Sequence, residues 1–361
     1  MIEMRTIQIQ QGAVFEDGST KESTVPMSFG NDAVAVQAAR SGVAVCDRSH
    51  WGRIQVAGSD RLSFLHNQST NDFKRLKPGE GCDTVFVTST ARTLDLATAY
   101  ILDETVLVLL SPNRREPLLK WLDRYIFFGD QVTLTDLTEQ TVTLSVVGSE
   151  STALLQRLGM DDRSKPPYGS HWLATLAGQT VRIATGSGLA LEGYTLTVDR
   201  AIAATVWQCL TDAGALPLGD RAWERLRIEQ GRPAPDHELT NDYNPLEAGL
   251  WQTISFEKGC YIGQETIARL DTYKGVKQQL WGIRLDNPVT SSTVTPGTSI
   301  TVGGEKVGTL TSLTETEQGS VGLAYIRTKA GGAGLRVQVG ETEGDLVDVP
   351  FVTHARLDDR P

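Results

Sequence analysis

Phe256–Arg269 reads FEKGCYIGQETIAR, and the octapeptide within it, Lys258–Glu265 (KGCYIGQE), decides how the rest of the chain is read. Gly259 and Gly263 bracket a cysteine and an aromatic–apolar pair. Glycine permits left-handed backbone or a close approach of chains, so the segment is expected to bend tightly and present Cys260 and Tyr261 on a loop. Lys258 lies two residues from the thiol, and an ammonium that converges on a sulfur favours thiolate. Gln264 and Glu265 open a helical pattern whose first turn suits an anionic or polar ligand group. Residue chemistry alone leaves two readings open. One is a reactive thiol on an exposed loop; the other is a Gly-Cys-Tyr turn packed between domains with its thiol inert.

Upstream of this loop the chain alternates between two periods. Arg53–Ala57 alternates as a strand, and Ser59 is placed to cap a helix carrying Leu62 and Leu65. Strand-like runs follow at Thr84–Val87, Leu96–Leu102 and Val106–Leu110. Ser111-Pro112 has the form of an N-cap with a first-turn proline, and Gly129 is placed to end the helix it starts. The order then recurs. Val142–Val147 reads as a strand, Ser149–Leu158 as a helix, Thr180–Ala184 and Tyr194–Val198 as strands. Asp199 caps a helix with Ala203, Val206, Trp207 and Leu210 on one face and Gly214 beyond its end. Asp220 opens a further helix to Gly231. The first 30 or so residues, around Gly18–Thr20 and Pro26, read as irregular. The pattern predicts two related α+β units, about 50–140 and 141–275.

Downstream of about Tyr273 the composition shifts to short strand-length runs broken by Gly, Pro, Asn and Asp: Leu280–Leu285, Ser299–Val302, Lys306–Leu310, Ser320–Tyr325 and Leu335–Val339. Many short strands with turn signals predict a small barrel or sandwich over 276–361.

The 361 residues are 40% hydrophobic and 22% charged, ordinary for a soluble globular chain. A formal net charge of −10 argues against a nucleic-acid-binding surface. No apolar run reaches the roughly 20 residues that span a bilayer, and the N-terminus lacks a secretory pattern. The four cysteines (Cys46, Cys82, Cys209, Cys260) and five histidines are scattered, without CxxC or metal-ligand spacing. No resident metal site, a reducing cytoplasmic compartment, no direct nucleic-acid partner and no membrane partner are therefore expected.

KGCYIGQE resembles the Lys-Gly-Cys-Tyr/Phe-x-Gly-Gln-Glu signature of the YgfZ-type branch of the glycine-cleavage T-protein (aminomethyltransferase-like) family. Gly42–Phe64 (GVAVCDRSHWGRIQVAGSDRLSF) resembles the segment that opens the family's domain, and Asn67–Asp72 (NQSTND) its Thr-Asn-Asp. Leu226–Gly231 (LRIEQG) is similar to its Leu-Arg-Leu-Glu-x-Gly helix, and Asn244–Gly249 (NPLEAG) to its Thr-Pro-Leu-Glu-Ala-Gly. The resemblance runs over roughly residues 30–275.

The resemblance implies an aminomethyltransferase-like folate-binding region over 1–275, built of two interleaved ferredoxin-like α+β units, and a β-barrel at 276–361. Together these form a cloverleaf around a central tetrahydrofolate cavity. It implies a folate-binding protein that supports iron–sulfur cluster assembly or maintenance in client enzymes, including tRNA-modifying ones, as an assembly factor more than a turnover enzyme. Cys260 and Asp95 are its candidate catalytic residues. Glu192, Tyr194, Arg227, Lys258, Tyr261, Gln264 and Glu265 are its candidate folate-binding residues. Asp95, in Leu94-Asp95-Leu96, stands against the family's Leu-Asp-Asp-Leu and supplies one acid where that motif has two. It reads either as an electrostatic partner of a cationic folate species or as an ordinary polar position at a strand start. Thr195 falls where the aminomethyltransferase branch carries a pterin-pairing glutamate, and one hydroxyl cannot offer a carboxylate's two acceptors. Arg227 reads either as a ligand-facing guanidinium or as a helix-surface residue paired with Glu229. His50 and Trp51 read as core packing more readily than as lining of the hole. Two other functions stay open: a folate-dependent aminomethyl- or methyltransferase, and an interaction module without folate.

Overall fold

The computed structural model describes residues 3–16, 25–160, 166–289 and 294–355. It is an α+β structure with a closed C-terminal barrel, as the strand and helix patterns predict. Its residues separate into two compact units. One holds Met1–Leu62, Arg75–Asp83 and Thr98–Leu226; the other holds Ser63–Lys74, Thr84–Ala97 and Arg227–Pro361.

In the first unit a six-stranded sheet runs in the order Leu216–Leu218, Ala44–Asp47, Thr141–Val147, Gly193–Asp199, Gln179–Thr185, His171–Leu176. Only the pairing of Ala44–Asp47 with Leu216–Leu218 is parallel. Strand alternation sorts its side chains. Leu144, Val146, Tyr194, Leu196 and Val198 join Val206, Trp207 and Leu210 of the helix Ala203–Asp212 in one apolar core. On the opposite face the buried polar pair Ser145 and Thr195 stands directly opposed in the register. A second core joins helix Asp32–Ser41 to helix Asp220–Gln230 through Ala35, Ala39, Trp51, Trp223 and Leu226. The other sheet of the α+β region has the order Gly81–Val87, Thr93–Ile101, Thr105–Leu110, Gly52–Ala57, Thr133–Asp136.

The second unit carries the barrel. Its strands close in the order Gln278–Leu285, Gly319–Arg327, Glu305–Thr316, Ser299–Val302, Arg336–Val339, Thr342–Val347, with the last pairing the first. Ile283, Ile300, Leu310, Ile326, Val339 and Leu346 alternate inward to fill it. Two further clusters complete this unit, one of them holding Tyr261 of the decisive loop. Val85, Val87 and Leu96 pack with Ile228, Leu250 and Tyr325, while Ala91, Leu246, Trp251, Tyr261 and Ile267 form a smaller core.

Several boundaries differ from the sequence reading. Met4–Gln10 is a helix, within the stretch expected to be irregular; Gly18–Thr20 lies outside the described residues. The helix expected from Ser111 starts at Arg115 and ends at Asp123, ahead of Gly129. The strands Ala44–Asp47, Thr133–Asp136, His171–Leu176 and Thr342–Val347 and the helix Asp32–Ser41 carried no expectation. The Asp199 cap is present, its carboxylate accepting from the Ala201 amide at 2.8 Å.

Candidate functional site

The KGCYIGQE loop is pinned from below by its own lysine. Lys258 is buried, and its Nζ donates to the carbonyls of His66 (2.5 Å), Ser69 (2.7 Å) and Asn71 (2.6 Å). These carbonyls belong to the end of helix Arg61–Gln68 and the turn after it, where helical acceptors lack partners. The ammonium also lies 4.5 Å from the centre of the Tyr261 ring. Backbone bonds add to the clamp: Ser255 N donates to Thr70 O at 3.0 Å, and Ile262 N to Asn67 O at 3.0 Å. The NQSTND segment is therefore the platform on which the loop sits. The ammonium is spent on three carbonyls, so its part here is to hold the loop.

The two glycines do different work. Gly263 has φ +81°, and a Cβ there would fall 2.8 Å from Thr88 O, so both conformation and space demand glycine. It immediately precedes helix Gln264–Thr272. Gly259 has no left-handed backbone, and a Cβ there would find only His66 Nε2, at 3.9 Å. The expectation that both glycines serve backbone conformation thus holds for Gly263 alone.

Between them Cys260 is exposed, alone among the four cysteines. Cys46 is buried, and burial pushes its thiol well above the ordinary range. Burial also raises Cys209, with Asp212 adding to it. Tyr261 is buried in the small core, and that burial raises its phenol. Gln264 is half-buried and Glu265 exposed at the start of the helix.

Sequence reasoning passed over His66. It is buried, its Nδ1 lies 3.1 Å from Asp72 Oδ1, and Lys258 holds its carbonyl. Burial, then the positive charge of Lys258, lowers its pKa. A histidine at a helix end carries no local signal; only the folded contact with the loop marks it.

Other candidates sit elsewhere. Arg227, which the sequence left between ligand and surface, is buried. Its guanidinium donates to Glu238 Oε2 and Arg232 O, both at 2.9 Å, and to Ser312 Oγ at 2.8 Å. Tyr194 is part of the first unit's core, its hydroxyl 2.9 Å from Thr152 Oγ1. Thr195 donates to Gly186 O at 2.7 Å and accepts from Arg48 Nη2 at 3.2 Å. Arg48 in turn lies over the rings of Trp51 and Trp223, at 4.4 and 4.9 Å. Glu192 is exposed at the start of that strand. Asp95 is fully buried in the strand Thr93–Ile101, on the face opposite Leu96. No cluster of three or more potential metal ligands occurs among the described residues, and none of their helices is long and apolar enough to cross a membrane.

Residues 4–258 match the family described as the GCVT N-terminal domain. The protein named "Putative transferase At1g60990, chloroplastic", from Arabidopsis thaliana, is 46% identical over 350 residues, covering 96% of this chain and 78% of that one. The aminomethyltransferases of Synechococcus elongatus and Geobacillus kaustophilus are 27% and 28% identical, over 91% and 92% of this chain and 88% and 93% of theirs. The crystal structure of glycine cleavage system aminomethyltransferase T from Bartonella henselae superposes with a TM-score of 0.83 over 98% of each chain at 19% identity, and so shares the fold.

Proposed function

The chain belongs to the GCVT family of glycine-cleavage T-protein-like proteins, and from that premise we propose that it supports iron–sulfur client enzymes, tRNA-modifying ones included, through the thiol of Cys260. The observation that carries the reading is a loop clamped by a buried lysine and offering the one exposed thiol of four. Free cysteine ordinarily ends as a small core filler. Holding one outside, on a loop fixed by three hydrogen bonds to an ammonium, is what a surface built for a thiol contact requires. Such a thiol can meet a client's cluster transiently without holding one itself.

A reduced folate, tetrahydrofolate or a one-carbon derivative, belongs to the proposal through family membership. Three residues do not fit its recognition. Thr195 stands in the pterin-pairing place with its hydroxyl already bonded, Tyr194 is committed to the core, and Arg227 to Glu238. Gln264, half-buried, and Glu265, exposed, remain the polar groups proposed to meet a ligand. Binding is accordingly proposed to be modest, about micromolar, or roughly −8 kcal/mol.

A second reading, a folate-dependent one-carbon transferase, is favoured by the buried carboxylate of Asp95 and by the names of the relatives. Thr195 weighs against it, since losing one preorganised electrostatic partner costs about 10²–10³ in rate.

The experiment is expression in cells lacking their own family member, read as activity of an iron–sulfur tRNA-modifying enzyme, beside an aminomethyl-transfer assay with lipoyl carrier and tetrahydrofolate. Restored client activity with negligible transfer supports the first reading. Transfer at the rate of a genuine T-protein, without restoration, replaces it with the second.

A further inference from the structure

Sheet edges invite pairing with other chains, and folded proteins blunt them with charge, proline, bulges or cover. Most edges here are guarded in that way. The barrel closes on itself. Leu216–Leu218 carries Pro217, and Thr133–Asp136 ends in Asp136, paired with Arg115 at 3.4 Å. Gly81–Val87 carries Asp83 and takes a backbone bond from Thr70 N to Val85 O at 3.1 Å. The remaining edge, His171–Leu176 (HWLATL), holds no lysine, carboxylate or proline, and its register against Gln179–Thr185 runs without a bulge from His171↔Ala184 to Leu176↔Gln179. Its histidine is buried and committed, Nε2 to Ile101 O at 2.9 Å and Nδ1 to Arg182 Nη1 at 2.8 Å.

The register fixes where the backbone groups of this edge point. His171 N faces away from Gln179–Thr185, since it donates to Gly79 O at 2.8 Å. Alternate residues of an antiparallel strand face the same way, so the N–H and C=O of Leu173 and Thr175 lie on that open side. Among the described residues no group bonds them. The Leu173 side chain is 58% exposed, while Trp172 and Ala174 pack against the core that holds Met160. A groove touches Trp172, Leu173, Ala174 and Thr175 in succession, and Gly159 and Met160 line it too. Consecutive strand residues face opposite sides, so a groove that touches four in a row runs along the edge itself.

We propose that this edge receives an extended, uncharged segment of a partner protein as an added strand. Open backbone donors and acceptors call for another backbone, which supplies the affinity, and alternate side chains supply the selectivity. The lining residues carry no charge, and a charge set against Trp172, Ala174 and Met160 would lose its hydration without gaining a partner. A second copy of this chain is the poorer occupant, because each copy brings a formal net charge of −10. The surface lies within the first unit and is independent of the Cys260 reading.

The test uses the full chain and a fluorescein-labelled, end-capped peptide, KTVTVTVK, followed by fluorescence anisotropy. Saturable binding below about 1 mM is expected. Thr175→Pro removes an outward N–H that the sheet does not use, so it is expected to keep the fold and weaken binding about tenfold. A second readout needs no variant: peptide should slow amide exchange, resolved by NMR, at Leu173 and Thr175 and leave Trp172 and Ala174, already paired inward, unchanged. No binding up to about 1 mM, equal affinity in folded Thr175→Pro, or protection that does not alternate along the strand each overturn the proposal. So does a dimer in sedimentation velocity that Thr175→Pro dissolves, which would make a second copy the occupant.

Discussion

Replacing Lys258 by methionine keeps the length of the side chain and removes the ammonium, so it isolates what the three carbonyl contacts contribute. A hydrogen bond to a charged group is worth about 1.5–3 kcal/mol. The three do not add independently; with a stranded buried carbonyl costing about 1–3 kcal/mol, the loss is taken as about 3–4 kcal/mol in all. Here the loss would leave the carbonyls of His66, Ser69 and Asn71 without their shared donor and take the cation from the face of Tyr261. At 1.4 kcal/mol per tenfold, amides of segments 66–71 and 255–263 should exchange about 10² to 10³ times faster if they open locally. Hydrogen exchange read by mass spectrometry on native protein makes the measurement, with barrel peptides as the internal reference. Unchanged protection in both segments would refute the clamp. Faster exchange everywhere would show that the lysine holds more than the loop.

Three further outcomes follow from the same contacts. Gly263→Ala places a Cβ 2.8 Å from Thr88 O at φ +81°; left-handed backbone alone costs about 1–2 kcal/mol, so a lower melting temperature and an altered Cys260 alkylation rate are expected, and an unchanged melting curve would contradict the close approach. Arg227→Met should cost about 3–5 kcal/mol by stranding buried Glu238; a variant that melts like wild type yet binds tetrahydrofolate worse would instead make Arg227 a ligand group. Asp220 is pushed up to about 6, chiefly by burial and then by Glu224 and Asp47, so the folded state holds its proton more tightly than the unfolded chain and stability falls as pH rises from about 4 through about 6. Asp220→Asn should therefore gain in thermal stability over wild type above about pH 7 and lose that gain near pH 4; a difference that does not vary with pH would count against a raised pKa for this half-buried carboxylate.

The barrel and the central strands were legible as short apolar or alternating runs bounded by turn residues. Ser299–Val302 stands as read, and Val142–Val147 is extended by one residue. Thr133–Asp136 and His171–Leu176 were not: both are edge strands, each with two exposed side chains, and in neither do buried and exposed positions match an apolar–polar alternation in the sequence. The helix Met4–Gln10 has only Ile7 and Gln8 buried, too few to show a period. In the site, the cysteine, the glycines and the bend were visible as residue types. The destination of the Lys258 ammonium was not, because its acceptors are backbone carbonyls 187 to 192 residues earlier, and carbonyls leave no mark in a sequence. For the same reason Arg227 could be read as a ligand group: its partner Glu238 is separated by a turn with no regular spacing.

The account's central claim is that the exposed thiol of Cys260 is what this fold offers its clients. It is tested most directly by replacing each of the four cysteines with alanine in turn and measuring the product of an iron–sulfur tRNA-modifying enzyme in cells that depend on this chain. The account predicts that Cys260→Ala leaves modification near the level of cells without the protein, while exposed-thiol labelling disappears and the melting temperature holds. Full modification with Cys260→Ala, in a protein that has lost its one exposed thiol, would contradict it.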